Sequence, residues 1–342
     1  MKNITVAAFT QGMNVPSARF RVRQLIDPLV DHSVTLTEFV SQYSAYPPQQ
    51  TWRRPQWMLN ELVGRIPQLI ASHKYDVSII QREFISTIPS LEFLSKRPRI
   101  FDVDDAVWLY RGGIAADTIA RASDRIVCGN SFLADYFSQF GKKIDIIPTA
   151  VDIARFNRKE KNGKSRLILG WSGSSSGYRF FDGLEKPMAK LLERYPDWVL
   201  RIVSNSPPVF NDIPASKVEY IQWTPANEAQ TIAEMDIGLM PLDNSFWSRG
   251  KCSYKMLLYM ACGVPVVVSD VGMNAEIIRQ ADVGFGVSNP DEWMTALEAL
   301  MDSEGTRRLL GSNGRQLVEQ YYSLDAIANV WSNTLCDTIG LL

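Results

Sequence analysis

The chain has 342 residues, with 36 Lys and Arg, 37 Asp and Glu, and a formal net charge of −1. This length exceeds one ordinary hydrophobic core and predicts two domains of about 150 residues each. With 46% hydrophobic and 21% charged residues, the composition excludes a disordered or fibrous chain, and the lack of a basic excess argues against a nucleic-acid-binding protein.

The apolar and reactive residues exclude several further classes. The longest apolar runs have about ten residues, half of what a membrane span needs, and the N-terminal run is too short for a signal peptide. His32 and His73 are far apart, which disfavours a zinc site or a Ser-His-Asp triad. The cysteines lack a C-x-x-C spacing, which predicts reduced thiols in a cytoplasmic protein: Cys128, Cys252, Cys262 and Cys336.

In the first half, short apolar runs alternate with amphipathic segments. The predicted strands are 4–9, 34–39, 77–81, 100–103, 125–128 and 144–147. The predicted helices are 17–30, 55–72, 115–122 and 131–140. Strands that alternate with helices predict an α/β domain with a parallel sheet covered on both faces.

The second half repeats this scheme. Its predicted strands are 167–171, 198–203, 218–222, 237–240, 264–268 and 284–287, and its helices are 180–195, 227–234, 254–261, 275–280, 290–301, 304–319 and 324–335. The polar stretch 152–166 is typical of a linker, so we predict domains at 1–150 and 151–322 with a terminal segment 323–342. The halves carry +3 (1–150) and −4 (151–342). Ligands of such sheets bind outside the carboxyl ends of the strands, here predicted to face an interdomain cleft.

Two loops of the second half have the composition of anion sites. The loop GWSGSSSG, residues 170–177, follows a predicted strand, and the helix expected from Phe180 would direct its positive end at it. Arg249, Lys251 and Lys255 precede and begin the helix 254–261, where cations and free amides favour a diphosphate. A plain strand–helix turn and a solvated basic loop are the alternative interpretations.

A family resemblance follows from the second half. The sequence KMLLYMACGVPVVVSDVGMNAEII, residues 255–278, resembles the donor-site signature of family 4-like GT-B glycosyltransferases, also named glycosyl transferases group 1. The stretches 122–137, 144–156, 167–176 and 223–242 are similar to that family in the same order. The resemblance implies two Rossmann-like domains, the donor nucleotide on the second and the acceptor on the first, with the terminal helix packing back on the first.

The resemblance also implies the chemistry and its residues. A sugar would pass from a UDP- or GDP-linked donor to an acceptor hydroxyl with retention, without a metal or cofactor. The implied donor-binding residues are Gly12, Gly173, Ser174, Ser175, Arg249, Lys251, Ser253, Tyr254, Lys255 and Leu258. Arg249 and Lys255 would also stabilise the leaving group, whose charge grows in the transition state.

Two positions depart from the family pattern. The family often has two glutamates at the positions of Gly250 and Leu258, and neither residue here offers a carboxylate to the donor. Asp243 and Glu276 are nearby carboxylates that would compensate. The departure keeps open a non-catalytic GT-B homologue that serves as a binding or partner subunit.

In the first half, charged residues follow predicted strands. Arg19 and Arg23 are four apart on one predicted helix face, with Arg21 on another side. Asp102, Asp104 and Asp105 lie at the end of the strand 100–103. We expect Arg19, Arg21, Arg23 and Asp102 to bind the acceptor and Asp104 or Asp105 to act as base. A solvated helix start, helix capping and proton transfer to the departing phosphate are the alternatives.

The stretch TWRRPQWM, residues 51–58, combines two tryptophans with two arginines. Either it rests on an anionic membrane surface beside a lipid-linked acceptor, or it is a core-packed tryptophan pair next to surface arginines. We expect a cytoplasmic glycosyltransferase of bacterial surface polysaccharide synthesis that acts on a glycan or lipid-linked acceptor, at the inner face of the membrane if this patch binds lipid. A nucleotide-sugar epimerase and a nicotinamide oxidoreductase are further alternatives, and the second lacks its G-x-G-x-x-G fingerprint.

Overall fold

The computed structural model describes residues 3–43, 47–157 and 166–340. The chain forms two compact units. The first comprises Met1–Ala150, Arg249–Cys252 and Leu324–Leu342, and the second comprises Val151–Ser248 and Ser253–Ser323. Residues 158–165 of the predicted linker lie outside the described residues.

Twelve strands and thirteen α-helices are described. The strands are β1 Ile4–Thr10, β2 Val34–Val40, β3 Val77–Gln81, β4 Arg99–Val103, β5 Arg125–Cys128, β6 Lys143–Ile146, β7 Leu167–Ser172, β8 Trp198–Ser204, β9 Val218–Gln222, β10 Ile237–Met240, β11 Val266–Ser269 and β12 Gly284–Val287. The helices are α1 Pro16–Arg21, α2 Ile26–Val30, α3 Arg54–Ser72, α4 Ile114–Ala122, α5 Ser131–Phe137, α6 Glu185–Arg194, α7 Glu228–Ala233, α8 Phe246–Arg249, α9 Tyr254–Ala261, α10 Met273–Gln280, α11 Pro290–Asp302, α12 Glu304–Tyr321 and α13 Leu324–Thr338.

Each unit contains one six-stranded parallel sheet. The strand order is β2-β1-β3-β4-β5-β6 in the first unit and β12-β11-β10-β7-β8-β9 in the second. In-register pairs such as Phe9 with Ile80 and Val267 with Phe285 align the strands. Because all strands in a sheet run the same way, their carboxyl ends meet at one edge, where the loops after β1, β3, β4 and β5 lie together.

The helix predicted at 17–30 is interrupted. α1 ends at Arg21, Val22 adopts φ −124°, and α2 begins at Ile26 after a short 3₁₀ turn. Pro28 has no amide hydrogen, and the restart places it in the first turn of α2, where no intrahelical donor is missed. The prediction that Arg19 and Arg23 share one helix face was therefore wrong.

The helix predicted from Phe180 begins later. Residues Ser175–Phe181 form a 3₁₀ segment, and α6 starts at Glu185. Gly183 takes φ +82°, which ends the 3₁₀ segment, and Pro187 again falls in the first turn of an α-helix. The start of an α-helix at Phe180, whose dipole would serve the loop 170–177, is thus absent.

The terminal helix α13 belongs to the first unit. Ile327, Ala328, Trp331 and Leu335 are buried in the same core as residues of β1, β3 and α2. The Arg125 guanidinium, which is nearly buried, pairs with the Asp337 carboxylate at the end of α13. The first unit therefore takes part of its core from the last residues of the chain.

Candidate functional site

The loop after β7 approaches a lysine very closely. The Lys255 ammonium lies 4.6 Å from the centroid of the Trp171 ring, within cation–π distance. A Cβ atom added to Gly173 would lie 2.5 Å from Lys255 Nζ and 2.8 Å from the Trp171 ring. A glycine fits at this position because the Lys255 ammonium and the Trp171 ring occupy the space that a side chain would need.

A buried tyrosine on α9 accepts a hydrogen bond from the residue at the start of this loop. The Ser172 amide donates a hydrogen bond of 2.9 Å to the Tyr259 phenol oxygen, and Tyr259 lies on α9, the helix that carries Lys255. Burial raises the pKa of the Tyr259 phenol, so it stays neutral. The loop and the lysine are therefore fixed to the same helix.

The predicted serines of this loop have different roles. The Ser175 amide donates to Asn205 Oδ1 at 2.8 Å, so Ser175 is tied to the loop after β8. Ser174 is exposed, and its hydroxyl lies 2.8 Å from the Ser176 hydroxyl. Asn205 follows β8 directly, and the rule that site residues cluster at strand ends would have found it.

The start of α9 corrects two predicted donor contacts. Ser253 adopts φ +48°, and its buried hydroxyl donates to Asn274 Oδ1 at 2.7 Å. Leu258 is 3% exposed and faces the interior of the second unit. Neither side chain is exposed to a ligand, because Ser253 is buried in a hydrogen bond with Asn274 and Leu258 is packed in the core. The half-buried Tyr254 stays a predicted donor contact.

Asp243 organises the chain before α8. Its Oδ1 accepts hydrogen bonds from the Ser245 hydroxyl at 2.6 Å and from the Ser248 hydroxyl. These hydrogen bonds and Arg179 at 3.7 Å outweigh burial and lower the pKa of the Asp243 carboxyl. Asp243 thus has a local structural role, and a donor contact through it or through the half-buried Glu276 stays a prediction.

In the first unit, three charged residues meet at the ends of β3 and β4. The Arg82 guanidinium donates to the Asp104 carboxylate at 2.5 Å and also to the Asp105 carboxylate. Arg82 adopts φ +59°, which turns the chain immediately after β3. The helix-capping alternative for these aspartates is not observed, because the following 3₁₀ turn begins after Ala106 without a side-chain cap. Arg82 was missed, although it directly follows a predicted strand.

Burial alters the titration of two carboxyl groups here. It raises the pKa of the Asp105 carboxyl, although Arg82 and Lys251 act in the opposite direction. It also raises the pKa of the Glu83 carboxyl to about 7, since this side chain is 3% exposed. Carboxyl groups near the carboxyl ends of strands with such environments are candidates for proton exchange.

The segment Arg249–Cys252 belongs to this unit. The Asn130 side-chain amide donates to the Lys251 carbonyl at 3.0 Å and to the Arg249 carbonyl at 3.3 Å. The Cys252 thiol donates to the Asp104 carbonyl at 3.1 Å. The sequence predicted one cationic loop on the second domain, whereas Arg249 and Lys251 are held by the first unit and Lys255 by the second. Asn130 also follows a predicted strand, and this signal was missed.

Gly250 fits against its neighbour only because it lacks a side chain. A Cβ atom at Gly250 would lie 2.7 Å from the Ala106 Cβ and 3.0 Å from the Ala106 amide nitrogen. The position that the family often fills with glutamate has no room for one here. The packing of this segment against Ala106 therefore explains why position 250 has a glycine and not a glutamate.

The predicted acceptor residues need correction. Arg21 and Asp102 are both buried and form an ion pair, and Arg21 also donates to the Ile147 carbonyl at 2.7 Å. Arg23 forms an ion pair of 2.7 Å with Glu38. The ion pair between Arg21 and Asp102 thus connects α1 to β4, and Arg21 also connects α1 to the residue after β6. Because both side chains are buried, they are not exposed to an acceptor. Arg19, which lies 4.2 Å from the Phe20 ring centroid, and the buried Gly12 stay predictions.

The first unit has a cavity of about 380 Å³ between the start of α3 and the loop 85–88. Trp57, Met58 and Ile85 form its apolar wall, and Arg54 contributes a cation to its lining.

Among the described residues, no group of three His, Cys, Asp or Glu side chains is arranged to hold a metal ion. All four cysteines are unbridged, as predicted.

Residues 169–303 match the family model described as glycosyl transferases group 1. The protein named glycosyltransferase 1 domain-containing protein 1 of Xenopus tropicalis is 29% identical over 147 residues. That match covers 41% of this chain and 41% of the relative, so the chain matches less than half of that protein's length.

Three solved structures share the fold at 14% identity each. Sucrose-phosphate synthase of Thermosynechococcus elongatus has a TM-score of 0.70, with 99% of this chain and 100% of that chain covered. HepE of Anabaena in complex with UDP and glucose has a TM-score of 0.68, with 97% and 99% covered. WaaG, a glycosyltransferase involved in lipopolysaccharide biosynthesis, has a TM-score of 0.65, with 96% and 99% covered. The predicted α/β class and GT-B fold are confirmed, and the match over residues 169–303 agrees with the resemblance of the second half to the glycosyl transferases group 1.

Proposed function

We infer that this protein transfers a sugar from a nucleotide-diphosphate-sugar to an acceptor hydroxyl. The chain has the GT-B fold, and its residues 169–303 match the family model of the glycosyl transferases group 1. The observation that carries this proposal is the Lys255 ammonium directly over Gly173. A phosphate that approaches the Gly173 backbone would meet this cation. Ligands of α/β sheets bind at this edge, beyond the carboxyl end of a strand.

The donor diphosphate is held by fixed positive charge in this proposal. Lys255 offsets the charge on the leaving group, and because that charge increases in the transition state, the ammonium lowers the barrier. We propose that this positive charge replaces a metal ion, so that the reaction proceeds without a metal or another cofactor.

We propose transfer of a hexose with retention at the anomeric carbon. The acceptor hydroxyl attacks from the face that the phosphate leaves, and its proton passes to that departing phosphate oxygen. Asp105, whose carboxyl has a pKa raised by burial, is the alternative proton acceptor that we propose. An Asp105→Asn variant separates the two routes, because only the second needs the carboxylate.

A surface polysaccharide or its lipid-linked precursor is the proposed acceptor. The apolar cavity of about 380 Å³ in the first unit is large enough for part of such a molecule. UDP-sugars are the first donors to test, because HepE binds UDP and glucose and WaaG takes part in lipopolysaccharide biosynthesis.

The test has two stages. UDP, GDP and their sugars are screened by thermal shift, and each ligand that binds is then assayed for labelled sugar transfer into a bacterial membrane extract. Stabilisation by one nucleotide and transfer of its sugar would support the proposal. If no nucleotide stabilises the protein, the donor site is wrongly assigned.

A non-catalytic sugar-nucleotide-binding subunit is the second candidate. It is favoured by Gly250, whose packing against Ala106 excludes the glutamate that the family often has there. Nucleotide binding without transfer from any donor would select this candidate. Conversion of the free nucleotide sugar without an acceptor would instead select an epimerase.

A further inference from the structure

The longest helix of the first unit, α3, has an ion pair on its buried side. Its buried residues include Glu61 and Arg65, which form an ion pair of 2.8 Å. Arg65 also donates to the Thr10 carbonyl at 2.7 Å and the Phe39 carbonyl at 3.1 Å, and Ser41 donates to Glu61. These buried hydrogen bonds fix the rotation of α3, because turning it would leave two charges without partners.

The opposite side of α3 is apolar and exposed. Leu59, Val63, Ile66 and Ile70 follow one another at spacings of four, three and four residues and are 54%, 55%, 45% and 68% exposed. At about 100° per residue these positions lie within roughly 60° of one another on the helix. An isolated exposed leucine is ordinary, but a continuous apolar stripe on a helix indicates an interaction surface.

Apolar side chains lie at both ends of this stripe. Trp52, in the turn before α3, is 73% exposed, so the interpretation of Trp52 and Trp57 as a core-packed pair is wrong for Trp52. Phe93 and Leu94 are 56% and 47% exposed. His73, just after α3, lies 3.1 Å from the Leu94 carbonyl, which brings these two residues beside the end of the helix.

The exposed charges of residues 41–75, which include the stripe, all have one sign. Residues 41–75 contain a single acidic residue, Glu61, and it is buried against Arg65. The basic residues Arg53, Arg54 and Lys74 are exposed and flank the stripe at its two ends. An amphipathic helix with apolar residues on one face and flanking cations is suited to the interface of an anionic lipid bilayer.

We propose that the outer face of α3, with Trp52 and Phe93–Leu94, docks on an anionic phospholipid surface. The apolar stripe enters the boundary between headgroups and acyl chains, while Arg53, Arg54 and Lys74 contact lipid phosphates. A second copy of the chain fits this surface less well, since two such faces would bring the same cations together. Of the helices in the described part of the chain, none has the length and apolarity to cross a bilayer.

Vesicle co-sedimentation at low salt tests this surface. The full chain is mixed with vesicles of phosphatidylcholine alone or of phosphatidylcholine with phosphatidylglycerol. We expect binding to the anionic vesicles that weakens as salt is added. Arg53→Ala and Arg54→Ala should each reduce partitioning roughly fivefold. The double variant Leu59→Glu/Ile66→Glu should abolish it.

A matched control introduces the same charge at exposed apolar residues of the second unit. Val209 and Leu309 are 87% and 61% exposed, so Val209→Glu/Leu309→Glu should leave vesicle binding unchanged. Equal loss in both double variants, equal binding to both vesicle types, or no binding at all would overturn the proposal. A dimer in sedimentation velocity that Leu59→Glu/Ile66→Glu dissociates, without vesicle binding, would assign the surface to a second copy.

The test is independent of sugar transfer. It requires no nucleotide, and the substituted residues lie outside the proposed donor site. We expect the Leu59→Glu/Ile66→Glu variant to keep the nucleotide affinity of the unmodified chain. Membrane docking and nucleotide binding therefore succeed or fail separately.

Discussion

Replacing Lys255 with alanine should weaken nucleotide-diphosphate binding strongly. A Cβ atom at Gly173 would lie 2.5 Å from Lys255 Nζ, so the ammonium borders this loop, and we expect a phosphate bound at the loop to accept a hydrogen bond from it. One charge-assisted hydrogen bond contributes about 1.5–3 kcal/mol. We therefore expect the Kd of the bound nucleotide to rise about tenfold to a hundredfold.

Isothermal titration calorimetry measures this effect. Lys255→Arg keeps the charge and should restore part of the affinity, although the guanidinium differs in shape. Lys190, an exposed cation on α6, is the matched control, and Lys190→Ala should leave the Kd unchanged. Thermal unfolding is measured in parallel because Lys255 also contacts the Trp171 ring. Equal affinity of Lys255→Ala and the unmodified chain would refute the assignment of the diphosphate to Gly173 and Lys255.

Four further predictions concern glycines, a carboxyl group and the terminal helix. Gly173→Ala should displace Lys255 and Trp171 and reduce nucleotide affinity in calorimetry, whereas Gly305→Ala, whose new Cβ would have no neighbour closer than 3.9 Å, should preserve it. Gly250→Glu should lower the free energy of unfolding by about 1–3 kcal/mol, measured in urea, because of the contact with Ala106, and a neutral effect would contradict that packing. Burial raises the pKa of the Glu83 carboxyl to about 7, so the folded state binds a proton more tightly than the unfolded state and Glu83 lowers stability as the pH rises from about 4.5 to 7. Glu83→Gln should therefore stabilise the protein relative to the unmodified chain more at pH 8 than at pH 5, by up to about 3 kcal/mol, and an equal difference at both pH values would show that Glu83 does not titrate in this range. Trp331→Ala should destabilise the first unit by about 3–5 kcal/mol in the same urea assay, and a loss below about 1 kcal/mol would contradict the placement of α13 in its core.

The sheet architecture could be predicted from the sequence because each buried strand is a short apolar run. All twelve predicted strands overlap observed ones, with ends that differ by at most two residues. Helix starts were harder to predict. The helix predicted at 17–30 is interrupted, and the one predicted from Phe180 begins only at Glu185; Pro28 and Pro187 lie in the first turns of α2 and α6, where a missing amide hydrogen costs no intrahelical bond.

The candidate site was predictable where a loop has its own signature. Gly173 and Lys255 were identified by composition and order, and the structure brings them together. Partners distant in sequence were not predictable, since no local pattern indicates that Asn130 holds the carbonyls of Arg249 and Lys251.

The positions of charged residues in the sequence did not predict which of them would be exposed to a ligand in the first unit. Arg21 and Asp102 have the composition of a binding site, yet burial makes them an internal ion pair. Conversely, α3 was predicted as an ordinary amphipathic helix. Only the structure shows that its ion pair faces inward and its apolar stripe outward.

Acceptor-dependent transfer of a labelled sugar tests the central claim most directly. The unmodified chain is incubated with each labelled UDP- and GDP-sugar and a bacterial membrane extract, and release of the nucleotide diphosphate is measured together with incorporation of the label. The account predicts that one donor gives both in equal amount, that neither occurs without the extract, and that Lys255→Ala loses both. Nucleotide binding without incorporation from any donor would contradict the account.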